Sequence, residues 1–518
     1  MKSSRKEKEP KQPKAARAAA RPGRFDMNRF RKWLLGSKDS QGAGKTAIIY
    51  LLLICIGFVY LYPVLYMISK SLMNRADLLD SSVSWIPSVL YVKNYIDAFT
   101  SMNFVDTFWK SVVVAGLPTL LNLVNTGKTP DCFMILGNCD FALSNDLLGD
   151  MTEYWENDPE NENILPSING AKLGYYGTDK KLGTPMKFFP DAIYADMAVF
   201  EKLNVTMPDT DWTWEEMIQS FKDVTSPDEG IYGFNQFHSI VTYYPVAADP
   251  NCIGEFGWDG ESFHMENWAV GVNTLAELMK GKYRAPMTED EIVAWLGSNE
   301  WAGASGKIGY QIDAFWTYLN LFDTDEYRAK GIEMVPYATP SVEGSDSKYK
   351  FGVLDFGGIS SGTEHPREAY ELLKWMGWGA DGWKAKVEAY KTLKDEEAGV
   401  EIYKQSMPLP LTMDEEVWTE MQTAFFPTLK KAEADQTEKD QKYGKYFDDY
   451  FDQVKQGVIP FGDCQIPGFA GFVGPDGPYA GVEDSVFNGE KNASDWVTEL
   501  EEKANEYNRQ AMEDAGLE

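Results

Sequence analysis

PDAIYADMAVFEKLNVTMPDTDWTWEEMIQ, residues 190–219, carries the clearest fold signal in the chain. Its part IYADMAVFEKL (193–203) reads as a strand passing into a helix. Thr213–Val224 reads as a helix with an acidic start. Trp214, Met217, Ile218 and Phe221 recur there at helical spacing. Working outward, CFMIL (132–136) reads as a buried strand after the turn Thr126–Pro130. FGVLDFGGI (351–359) reads as a strand ending in glycines, and Arg367–Trp378 as an amphipathic helix after His365-Pro366. Strands alternating with helices predict an α/β architecture. Lys430–Lys445 is charge-rich and reads as a solvated helix face.

Composition narrows the function classes. The 518 residues allow about three domains at ~150 residues each. Apolar residues make up 44%, enough for a large core. Lys plus Arg total 49 against 79 Asp plus Glu, a net charge of −30. That balance argues against a nucleic-acid partner, which calls for a basic face. The charge is also uneven. Residues 1–45 hold 14 basic and 4 acidic residues, so the remainder holds 35 and 75.

The basic head precedes TAIIYLLLICIGFVYLYPVLYMI (46–68), 23 residues without a charge. About 20 apolar residues span a bilayer. A cleaved signal would have a shorter apolar region ending in small residues, so an uncleaved span through membrane lipid is expected. Positive-inside topology puts the N-terminus in the cytoplasm and the body outside. SVVVAGLPTLLNLV (111–124) is too short to span alone. It reads either as the start of a second span or as an ordinary buried helix.

Several chemistries drop out. Gly42-Ala-Gly-Lys-Thr46 imitates the end of a phosphate-binding loop, but Asp39 stands where the motif needs glycine. No nucleotide is expected. The five cysteines (Cys55, Cys132, Cys139, Cys252, Cys464) form no CxxC, and the three histidines (His238, His264, His365) are far apart. No metal and no cofactor are therefore expected. Free thiols are preferred to a Cys132–Cys139 bridge. With 79 carboxylates, no single acid pair marks a glycosidase, and no enzymatic activity is expected.

Two resemblances follow. Residues 46–124 resemble the N-terminus of a carbohydrate ABC-transporter permease, through LYPVLYMISKSLMN (61–74), WIPSVLYVKNYIDAF (85–99) and FWKSVVVAG (108–116). Residues 126–518 resemble a family 1 extracellular solute-binding protein. The matching stretches are TGKTPDCFMI (126–135), residues 190–219, GIYGF (230–234), GKIGYQIDAFW (306–316) and FGVLDFGGISSGTEHPREAYELLKWM (351–376). The permease part stops in its second span. The binding part lacks the strand–helix–strand that precedes G-x-x-P-D in the family. A join of two transport genes near 121–128 accounts for both, and a non-functional fusion or a permease fragment are the alternatives.

The resemblance implies a two-lobed, periplasmic-binding-protein-like clamp behind one transmembrane helix. The expected layout is a tail at 1–45, a helix at 46–70, a linker at 71–125 and the binding domain at 126–518. Lobe one would hold 127–192 and 351–405, and lobe two 193–350 and 406–518. It further implies carbohydrate captured between the lobes and delivered to ABC permease subunits. Sugars present an apolar face to aromatic rings and a hydroxyl rim to polar groups. By resemblance, the loop after the P-D strand nominates Asn138 and Asp140, while Asp131 reads as a turn residue. HSIVTYYPVAAD (238–249) nominates Tyr243 and Tyr244. The strand end near 313 nominates Asp313 and Trp316, and Gly357, Gly358 and Ser360 would let backbone approach ligand.

Overall fold

The structure, a computed structural model, describes residues 130–517 apart from 136–138, 171, 319–321, 323–324, 394–407, 426–437 and 463. Before them it describes 36–37, 40–41, 66 and 69–73. Two units separate, Met1–Val112 and Val113–Glu518. In the first, Gly36–Ser37 pairs antiparallel with Ser40–Gln41. Residues 46–65, most of the expected membrane span, lie outside the described residues, as does 111–124. Among the described residues no helix is long and apolar enough to cross a membrane.

The second unit is built on β2 (Thr184–Asp196), a strand of 13 residues. Around it stand β1 (Cys132–Ile135), β3 (Tyr232–Gln236), β4 (Ile308–Ala314), β5 (Met334–Tyr337) and β6 (Gly352–Ile359), of which β4, β5 and β6 pair with it directly. The order is β1–β6–β2–β4–β3, with β5 also on β2. From Thr184 to Pro190, β2 pairs with β6. From Asp191 onward it pairs with β4 on one side and β5 on the other. One strand thus belongs to two sheets and changes partners between Pro190 and Asp191. Only β3–β4 is parallel; the other pairings are antiparallel. The result is a mixed α/β fold of two lobes.

The predicted elements are present with shifted ends. The strand expected from Ile193 begins nine residues earlier, because 184–190 is apolar on the face that packs on lobe one. It runs into α1 (Met197–Leu203), where Asp196 accepts from Ala198 N at 3.1 Å. The helix expected at 213–224 is α2 (Trp214–Asp223). Thr213 and Glu216 form a reciprocal capping box, satisfying two backbone donors that a helix start leaves open. The helix expected after His365 is α3 (Pro366–Met376), with proline in its first turn. The charged stretch ends in α5 (Glu438–Gln456); its first part, 430–437, lies outside the described residues.

Residues 406–518, expected with lobe two, divide between the lobes. The helix α4 (Glu415–Phe425) packs on Ala380–Leu393, which follows α3. By contrast α5 packs on β5, and α6 (Val497–Asp514) packs on Asp140–Ser144 next to β1. The chain cannot return to one lobe only, because each lobe needs helices to cover both faces of its sheet. One continuous core cluster includes Phe188 and Leu354 on one side of the crossing and Ile193, Trp212 and Tyr310 on the other.

Thr213→Ala removes one half of the capping box. It should lower unfolding free energy by about 1 kcal/mol in urea titration, with Thr213→Ser close to wild type.

Candidate functional site

The strand change at Pro190–Asp191 sets the site. Asp191 N donates to Phe351 O at 2.9 Å. Its carboxylate is 4% exposed, and a carboxylate so placed needs partners. Tyr243 Oη donates to Oδ2 at 2.7 Å, and His238 Nδ1 lies 3.0 Å from Oδ1. Burial pulls the His238 pKa down, but Asp191, with Asp313 and Glu255 behind it, outweighs burial and raises it to about 9. The imidazolium therefore stays charged at neutral pH.

Aromatic rings gather beside this pair. Trp316 meets His238 edge-on at 5.6 Å and Phe189 at 5.3 Å between centroids. Phe237, 71% exposed, leans on His238 at 5.3 Å. Asp313 Oδ1 accepts from Trp316 Nε1 at 3.0 Å and from Ala314 N at 2.8 Å. Burial holds the Asp313 carboxyl above its ordinary value.

A cavity of about 230 Å³ lies on the lobe-one side. Ile135, Leu173, Glu255, Gly352–Phe356 and Gln465 are among its lining residues. The ladder explains why backbone faces it. Antiparallel pairs alternate between bonded and non-bonded. Since Asp191 bonds to Phe351, the pairs Phe189–Val353 and Lys187–Asp355 share that phase. Gly352 and Leu354 then turn their N–H and C=O to the other edge. Pairing of β1 with β6 ends at Ile135–Phe356, so no described strand pairs with them there. Gly352 also permits the close pass, because a Cβ would lie 2.8 Å from Pro190 Cα.

The predicted site residues separate into groups. Asp313 and Trp316 stand together at the crossing, and Tyr243 reaches it through Asp191 while itself only 1% exposed. Tyr244 points elsewhere, against Trp214 at 5.2 Å. Asp140 starts its helix and accepts from Gly468 N at 2.9 Å, in a groove beside α6 and not in the cavity. Asn138 lies outside the described residues. Gly357, Gly358 and Ser360 are not among the residues that line the cavity. Because β6 runs antiparallel to β1, its first residues face the cavity and its glycine end lies inside lobe one. A Cβ on Gly357 would meet Leu373 and Met186, both at 2.8 Å. Its missing side chain admits α3. Ser360 is 1% exposed and bonds Asp131 O through its backbone N–H. Gly358–Gly362 has the G-x-S-x-G spacing of a hydrolase nucleophile elbow. Here the serine is buried, its Oγ accepts from Gly362 N at 3.3 Å, and five residues separate it from α3.

Asp191, Phe189, Glu255 and Asp355 carried no separate sequence signal. His238 stood at the head of the nominated 238–249 loop, and its lone-histidine character hid it. Cys132 and Cys252 are free thiols.

The profile of the family described as "Bacterial extracellular solute-binding protein" matches residues 111–377. The chain belongs to that family. Solute-binding proteins of this family are in general not enzymes. The match begins at 111, inside the stretch that resembled a permease. No curated protein matches the chain. Among solved structures it is similar to the sugar-binding protein MalE from Xanthomonas citri, at 12% identity. That match covers 82% of this chain and 97% of that one, with a TM-score of 0.52. It is also similar to a sugar transporter from Rhizobium etli in an open conformation, at 12% identity over 74% and 88%, TM-score 0.51. At such identities the likeness is one of fold.

Two outcomes test the placement within this solute-binding protein. Gly357→Ala should cost about 1–3 kcal/mol in stability and leave ligand affinity of the folded protein unchanged. The raised pKa of His238 gives stability that is full below pH 6.5 and lost as pH rises through about 9. Wild type should therefore lose on the order of 1–3 kcal/mol between pH 6 and 9.5, a loss absent from His238→Gln in urea unfolding.

Proposed function

We propose that this solute-binding protein captures a carbohydrate at the strand crossing and hands it to the membrane subunits of an ABC importer. The observation that carries the reading is a strand edge that no described strand pairs, one cross-strand pair away from an aromatic wall. Gly352 and Leu354 turn backbone donors and acceptors toward a cavity. Val353, which lines that cavity, pairs with Phe189, and Phe189 packs on Trp316. Hydroxyls suit the first surface and a sugar's C–H face suits the second. The two structures of like fold are those of a sugar-binding protein and a sugar transporter.

In this reading Trp316 and Phe189 are the stacking rings, and Asp313 holds Trp316 in orientation. Asp191, His238 and Tyr243 fix the wall, and Asp140 and Tyr244 stand outside it. The lobes divide at Pro190–Asp191 and the ligand lies between them. The binding unit works outside the cytoplasm, anchored in membrane lipid through residues 46–68, and delivers its ligand to ABC permease subunits. Protease added to intact cells would then digest the binding unit and spare the basic head.

The test is thermal unfolding of the full chain with a panel of mono- and oligosaccharides. A ligand that binds only the folded state raises the melting temperature by mass action. At least one sugar should do so in a concentration-dependent way. Trp316→Ala should weaken that sugar about tenfold or more, about 1.4 kcal/mol, and Tyr244→Phe should not. A panel without any shift overturns the reading.

A further inference from the structure

Lobe two carries a second groove, of about 840 Å³, at the start of β3. From Tyr232 to Gln236 that strand leads into Phe237 and His238 at the crossing. Tyr232 lines the groove, so groove and crossing lie at opposite ends of β3, about 13 Å of strand apart. Three segments build it. Residues 283–285 dock on β3, with Phe234 N donating to Tyr283 O at 3.2 Å and Ala285 N to Phe234 O at 2.8 Å. These two bonds pin the backbone of Arg284 between them. Trp295, on the helix Glu289–Leu296, donates its Nε1 to Gly230 O at 2.8 Å and meets the Tyr232 ring edge-on at 4.9 Å. Met279 reaches the groove from the helix Glu266–Lys280.

Arg284 is the exceptional member of the lining. It is half-buried, and among the described residues its guanidinium has neither a hydrogen bond nor an ion pair. Arg367 and Arg509, by contrast, each pair with a glutamate four residues on. Burial holds the Arg284 pKa below its ordinary value, and Glu291 and Glu483 oppose this only from beyond contact. Both carboxylates are engaged elsewhere. Glu291 Oε2 accepts from Thr288 Oγ1 at 2.7 Å, and Glu483 Oε1 from Tyr479 Oη at 2.6 Å. A guanidinium does not shed its proton in a protein, so it stays a partly desolvated charge with donors to fill. The chain's excess of acids, 79 against 49 bases, sharpens the contrast. Lys282, exposed in the same lining, adds a second cation without an ion pair among the described residues.

The walls around these cations are largely apolar, with Ile231, Met279, Met287, Ala294 and Trp295 among them. A neutral occupant would cover the guanidinium further and leave it unpaired. A cation would be repelled by it. A dianion such as a phosphate monoester would meet Glu291 in the same lining. One carboxylate matches the guanidinium fork with two parallel hydrogen bonds, and an attached ring or chain covers the apolar walls. We propose that this groove is a second binding site, for an apolar monocarboxylate whose carboxylate pairs with Arg284 and whose ring or chain lies against Tyr232 and Trp295. Lys282 adds to the field that draws the anion in. The site does not depend on the carbohydrate reading of the crossing.

Calorimetry on the purified full chain at pH 7 tests it with matched pairs. 3-Phenylpropionate, indole-3-acetate and octanoate are each set against the corresponding primary amide. Phenyl phosphate and the peptide N-acetyl-Leu-Asp-amide complete the set. At least one free acid should bind about tenfold or more tightly than its amide, and more tightly than phenyl phosphate or the peptide. Arg284→Gln should abolish the preference for acid over amide, and Arg509→Gln should keep it. A diazirine-bearing 3-phenylpropionate, photolysed on wild type, should label the stretch 279–295, a readout that needs no variant to fold. An amide that binds as well as its acid overturns the proposal, as does labelling outside that stretch or a preference that survives Arg284→Gln. Tighter binding of phenyl phosphate overturns the monocarboxylate class. Tighter binding of the peptide makes a segment of a partner protein the occupant and overturns the small acid. Failure of every free acid to bind overturns the site, and none of these outcomes bears on the sugar panel.

Discussion

A carboxylate at the point where one strand changes sheets has to be neutralised in place, and Asp191 is that carboxylate. At 4% exposure it would be costly to leave alone. Its partners come from one loop, His238 and Tyr243, which draws lobe-two chain against the crossing. Tyr450 of α5 donates to Asp191 O at 3.1 Å and ties the C-terminal half to the same point. Phe351 O receives the Asp191 N–H, which fixes the phase of the β2–β6 ladder. From that phase follows which backbone groups of β6 face the cavity. The site is thus a consequence of how one buried charge is satisfied.

The two surfaces of the site have different physical origins. The cavity wall is backbone, and its pattern is dictated by the alternation of antiparallel hydrogen bonds. The aromatic wall is side chain, and it is held by acceptors placed for it, Asp313 for the Trp316 indole and Asp191 for the His238 imidazole. Side chains fixed by hydrogen bonds lose less freedom when a ligand arrives, which favours affinity.

Element types were readable from the sequence because they rest on local rules. Apolar spacing and the Thr213–Glu216 cap mark α2 before any tertiary contact is considered. The strand Gly352–Ile359 and the helix after His365 were legible for the same reason. The site was legible in part. Asp313 and Trp316 were nominated because resemblance placed an aromatic at a strand end, and the structure joins the two by a hydrogen bond. Asp191 was missed because nothing in P-D-A-I-Y says that the strand changes partners between two residues. Gly357 shows how a glycine can admit a helix as readily as a ligand, since a Cβ there would meet Leu373 of α3. Asp140 was drawn from a loop whose neighbour Gly468 is 328 residues away, a contact no local pattern encodes.

The uninterrupted run of β2 through both sheets also bears on how the molecule comes apart. Two lobes joined by flexible linkers can melt separately, each with its own midpoint. Here one run of 13 residues supplies a strand to both lobes, 184–190 to one sheet and 191–196 to the other, so unravelling either half pulls on its neighbour. Damage on the lobe-one side, such as a poorly closed β1 edge, is then felt across the whole unit. The lobes then share one fate in heat or denaturant, and any change in the angle between them must bend this strand.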